Sequence, residues 1–154
     1  MSMPQVDFSS DDMFILGNIA SLATRIGLGE GAQSLWKLVQ EVRPENAGGF
    51  VIEAMYRFAT GDLTAGIELL ETSGSFDAEI NRDEALAFHL FLLQQDGQLE
   101  RAHRLGGTYL DEDLLQSEAA LEAVQVVVSE CAEALGIKDE DSVGAGAEEG
   151  RSIQ

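Results

Sequence analysis

Cysteine is nearly absent: Cys131 stands alone among 154 residues, so no disulfide can form within the chain. That excludes a small disulfide-stapled scaffold and points to a reducing compartment, with the cytoplasm as the expectation. Proline is almost as scarce, at Pro4 and Pro44, and strand-like alternation of apolar and polar residues is hard to find. The two histidines, His89 and His103, are separated by 14 positions and have no cysteine beside them, too few ligands for a zinc site. Basic residues are the largest deficit, with 9 Lys and Arg against 28 Asp and Glu and a net charge of −19. Such a surface repels phosphate backbones and anionic headgroups, so neither nucleic acid nor a membrane is an expected partner. No apolar run approaches the roughly 20 residues that span a bilayer. The opening MSMPQVDFSSDD lacks the basic and apolar regions of a secretory signal, so none is expected.

Catalytic signatures are missing too. Asp111-Glu112-Asp113 lacks the alternating ligands and the glycine of a calcium loop. GLGEGA at 27–32 has no strand before it and no Gly-Lys-Ser/Thr after it, unlike a phosphate-binding loop. Cys131 sits in EAVQVVVSECAEAL on what reads as a packed face, and Trp36 reads as core. The expectation is a binding protein, with no catalysis, cofactor, metal or small-molecule substrate.

Apolar residues recur at helical spacing. Ser9-Ser10-Asp11-Asp12 supplies N-cap oxygens for a helix running to about Gly27. Further helices are predicted over 30–41, closed by Arg43-Pro44, and over 47–60, 63–71, 81–95 and 99–109, with a break at Ser73-Gly74-Ser75. A last helix is predicted over 114–135, stopped by Gly136. Residues 1–10 read as an N-terminal arm, 11–136 as one helical domain, and 137–154 as an acidic, glycine-rich tail with the composition of disorder.

Gly27, Gly61 and Gly97 recur at intervals of 34 and 36, each between two predicted helices. Five residues after each comes a small residue, Ala32, Gly66 or Ala102, inside the following helix. A glycine can take positive φ and turn the chain tightly, and a small side chain lets the two helices approach. The spacing therefore describes a helical hairpin repeated about every 34 residues.

This pattern resembles the tetratricopeptide repeat. In the first repeat Leu16, Ile19, Ala20 and Ala23 match the family's first-helix packing positions, Ala32 and Trp36 its small and aromatic pair, and Pro44 its closing proline. The second repeat matches at Phe50, Ala54, Gly66 and Leu70 but departs at Glu53 and Arg57. The third matches at Leu86, Leu90, Leu93 and Ala102 but departs at His89 and Gly106. The resemblance covers about residues 13–112. It implies an all-α fold, a right-handed superhelix of three hairpins with 114–135 as a C-terminal capping helix, whose first helices line a concave groove.

The family's groove positions would be Phe14, Gly17, Ser21 and Thr24, then Gly48, Val51, Met55 and Phe58, then Glu84, Ala87, Phe91 and Gln94. Val51, Met55, Phe58, Ala87 and Phe91 form the predicted partner-binding strip, suited to an amphipathic helix. The predicted helix at 114–135 can cap the last hairpin or fold back into the groove, and the sequence does not choose. None of the twelve positions is basic, which argues against the family's use as a clamp for acidic C-terminal peptides. Size, acidity and layout also resemble the small cytoplasmic chaperones of bacterial type III secretion, nearer the needle-subunit branch than the translocator-binding class II branch. That resemblance implies shielding an amphipathic helix of a secretion substrate, and a small helical co-chaperone contacting Phe14 and Leu28. A general cytoplasmic scaffold or adaptor is the alternative.

Overall fold

The computed structural model describes residues 29–137. The expected helix ending at Gly27, with Phe14, Gly17, Ser21, Thr24 and Leu28, the arm and the tail beyond 137 lie outside the described residues, as does the side chain of Ala32. Among the described residues there are six α-helices and no strand: α1 Gly29–Val42, α2 Gly48–Ala59, α3 Leu63–Thr72, α4 Arg82–Gln95, α5 Leu99–Asp111 and α6 Glu118–Leu135. A single 3-10 turn, Ser75–Asp77, fills the break after α3. The described residues are all-α, and five of the predicted helices lie within two residues of their expected bounds.

The sixth does not. It begins at Glu118 rather than Leu114. Asp113, just past the end of α5, takes a left-handed conformation, φ 54°, and the chain is non-helical until Ser117, itself extended, caps α6 by accepting the Ala120 N–H at 3.2 Å.

Two helical hairpins turn on the same local chemistry. In the α2–α3 corner Gly61 has φ 85°, its N–H donates to the Phe58 carbonyl, and the Asp62 N–H donates to the Arg57 carbonyl at 2.7 Å. In the α4–α5 corner Gly97 has φ 82°, with Gln94 and Leu93 accepting from Gly97 and Gln98. Both are Schellman closures, in which a left-handed residue lets two orphan carbonyls find donors. Gly136 ends α6 in the same way.

Packing follows the chain and also skips along it. α2 contacts α1, α3 and α4, and α6 contacts both α4 and α5. α4 is the central element: Ala85, Leu86, Ala87, Leu90, Leu92 and Leu93 are all buried. Each leucine buried there contributes about 1.5–3 kcal/mol of transfer free energy. Trp36 of α1 is 1% exposed and packs on Tyr56 of α2 with ring centroids 4.7 Å apart, as its core reading expects.

The segments that open α2, α4 and α6 are tied to one another in turn. Ala47 donates to the Ile80 carbonyl at 2.9 Å, and Glu79 to the Glu45 carbonyl at 3.1 Å. Asn46 Oδ1 accepts from both Gly48 N–H and Asn81 Nδ2, each at 2.8 Å. Asp83 Oδ2 then accepts the Gln116 and Ser117 N–H groups at 2.6 and 2.9 Å, while Arg82 donates to the Leu114 carbonyl at 2.7 Å. The partners lie 32 to 35 residues apart, close to the glycine intervals of 34 and 36.

Candidate functional site

α2, α4 and α6 enclose an open cavity of about 410 Å³. α2 contributes Val51 and Met55; α4 contributes Glu84, Ala87, Phe88, Phe91 and Gln94. The opposite wall is one face of α6, made of Ala119, Ala120, Ala123, Val126, Val127 and Glu130. Positions 119, 123, 126 and 130 recur at helical spacing, so they form one stripe along that helix.

The strip read from sequence is brought together in space, with its members in different roles. Val51 and Ala87 are 1% and 6% exposed, so they form the floor and have little surface left to bury. Met55 and Phe91 are half-buried and line the walls. Phe58 is not a lining residue; it stands behind Phe91, edge to face, with centroids 5.3 Å apart. Edge-to-face pairs of this kind hold ring orientation at about 0.5–1.5 kcal/mol beyond burial. Gly48 is buried at the start of α2 and also lies outside the lining.

Two parts of the site escaped the sequence reading. Phe88 stacks beside Phe91 at 5.6 Å and lines the cavity. α4 reads ALAFHLFLL over 85–93 and is apolar nearly all round, so periodicity could not single out its groove face. The whole α6 wall was also missed, although the stripe Ala119, Ala123, Val126 carried the signal. Val126 is 55% exposed, an apolar side chain left at the mouth.

The departures from the repeat pattern have physical reasons. Glu53 accepts from Gln40 of α1 at 2.8 Å and pairs with Arg57 at 3.0 Å, so a polar network joins α1 to α2. His89 is 2% exposed, and its Nε2 lies 2.8 Å from Glu71 Oε2 across the α3–α4 contact. Burial pushes the His89 imidazole below its ordinary value, against the pull of Glu71. It is therefore read as neutral, with Nε2–H donating. Burial would raise the Glu71 carboxyl, but the hydrogen bonds from His89 and Arg101 outweigh it and hold it below its ordinary value. Gly106 is where α6 crosses α5: a Cβ there would collide with Val128 and lie 3.2 Å from Leu90 Cδ1.

Cys131 is fully buried, and burial followed by the nearby Glu130 pushes its thiol up, the behaviour of a packed thiol. Among the described residues no group of three or more His, Cys, Asp or Glu side chains is placed to hold a metal ion, and no helix is long and apolar enough to cross a membrane. The cavity's polar lining is Glu84, Gln94 and Glu130, of which Gln94 donates to Glu130 at 3.0 Å. Comparisons with family models, curated proteins and solved structures give no match.

Proposed function

We propose that this chain is a protein-binding helical repeat of tetratricopeptide type whose groove between α2, α4 and α6 holds an amphipathic helix of a partner. Two features support the repeat reading: first helices that touch one another (α2 with α4, α4 with α6), and bonds between the segments that open them at intervals of 32 to 35 residues. The observation that carries the binding reading is the cavity itself, with Met55, Phe88, Phe91 and Val126 turned toward an otherwise apolar space. Pockets for small ligands present convergent polar groups that fix orientation; here Gln94 and Glu130 are engaged with each other at 3.0 Å. Methionine and phenylalanine accept varied apolar side chains. Covering Val126 and the remaining surface of the half-buried Met55, Phe88 and Phe91 contributes less than the roughly 6–12 kcal/mol of four fully exposed side chains, against the about 4–15 kcal/mol that association costs. A ligand therefore has to extend along the groove, as a helix does.

The resemblance to type III secretion chaperones extends this proposal to the client, an amphipathic helix of a secreted filament or translocator subunit kept covered until export. Co-expression with such subunits tests it. Capture of one by the wild-type chain, abolished in Ala123→Trp and Met55→Glu while circular dichroism stays unchanged, is the expected result. A captured subunit that survives both variants removes the groove from the reading. It would favour the scaffold alternative, for which Leu38 and Val42, exposed one turn apart on α1, supply the motivating surface.

A further inference from the structure

We infer that the helix held in this groove carries lysine or arginine along the flanks of its apolar stripe. The inference rests on the groove reading and adds the charge of the partner. α6 holds Glu118, Glu122, Glu130 and Glu133 and no lysine or arginine. Glu130 lines the cavity; residues four apart on a helix share a face, so Glu122 lies one turn on the other side of Val126 and Glu133 continues the column beyond the lining. Glu84 of α4 lines the cavity across from them.

No basic residue lines the cavity. The arginines of the other two walls are engaged: Arg57 with Glu53 at 3.0 Å, and Arg82 with Asp83 at 2.9 Å and the Leu114 carbonyl at 2.7 Å. The mouth is therefore an apolar slot edged with carboxylates, on a chain of net charge −19. A second copy of this chain would bring the same charge and is repelled, as is any acidic helix. Exposed ion pairs are individually weak, but several in register select the partner's sign and speed the encounter.

Two helical peptides of about 18 residues, sharing one Leu/Phe stripe and differing only in Lys or Glu on the polar face, separate the claims by fluorescence anisotropy. The lysine peptide is expected to bind at least about tenfold tighter at low salt, with the gap closing as salt shortens the Debye length to about 3 Å near 1 M. Glu122→Gln with Glu130→Gln is expected to shrink the gap several-fold, and Ala123→Trp to abolish binding of the lysine peptide.

Equal affinity for both peptides leaves the groove standing and overturns the basic partner. Lysine-peptide binding that survives Ala123→Trp, or is matched by a peptide with its stripe scrambled, is attraction to the surface at large and also overturns it. Binding by neither peptide defeats the groove reading itself.

Discussion

Gly97 and Gly106 belong to one hairpin, yet they are glycine for different reasons. At Gly97 φ is 82° and a Cβ would meet nothing within 4 Å, so the constraint is backbone conformation alone. Alanine there costs about 1–2 kcal/mol, the left-handed penalty of an L-residue. At Gly106 the constraint is space: a Cβ would collide with Val128 and press on Leu90. Overpacking costs about 1–3 kcal/mol, and the displaced element is α6, which is also the groove wall. Urea unfolding is expected to show both Gly97→Ala and Gly106→Ala destabilised, while peptide affinity falls in Gly106→Ala alone. Equal loss of affinity in the two would mean that the α5–α6 crossing does not set the groove.

Among the elements, α6 depends most on a side chain outside itself. Its first turn is preceded by Gln116 and Ser117, whose N–H groups are held by Asp83 of α4, and Leu114 just before them is held by Arg82. Burial would raise the Asp83 carboxyl; the Ser117 and Gln116 amides and Arg82 more than offset it, and the group is held below its ordinary value. Asp83→Ala leaves two donors without partners, so a loss of about 2–3 kcal/mol is expected, read by denaturant unfolding. Amide exchange should accelerate first at the start of α6, before α2 or α3. Uniform acceleration across all helices would show that Asp83 is not a local clasp.

At the scale of the whole molecule, acid acts in two opposing directions. Protonating carboxylates relieves the self-repulsion of a chain at −19, while groups held below their ordinary values lose stabilisation. His89 separates the two. Its folded pKa is lowered, so the unfolded chain takes up the proton first. The stability it contributes is complete above 6.5, its ordinary value, and declines as pH falls from there toward the folded value. Glu71 and Asp83 follow the same sign at lower pH, below their ordinary 4.5 and 3.8. His89→Phe, which keeps a ring against Phe76, is expected to flatten the dependence of unfolding free energy on pH as pH falls below 6.5. An unchanged slope would assign that dependence to other groups.

Five of the helices, the hairpin corners at Gly61 and Gly97 and the floor and wall residues Val51, Met55, Ala87 and Phe91 were legible in the sequence because each rests on local spacing: period 3.6 for a face and positive φ for a corner. The second wall was not legible. Where α6 lies depends on Gly106 leaving room for Val128, on Asp83 reaching amides 33 and 34 residues away, and on Asp113 taking a left-handed conformation just past α5. Phe88 was missed for a related reason, since α4 is packed on several sides and only its neighbours decide which ring meets the cavity, while Phe58 of α2 packs on Phe91 without lining it. Local chemistry set the helices and their turns; the crossing of α6 over α4 and α5, a long-range packing choice, decided that they enclose a groove.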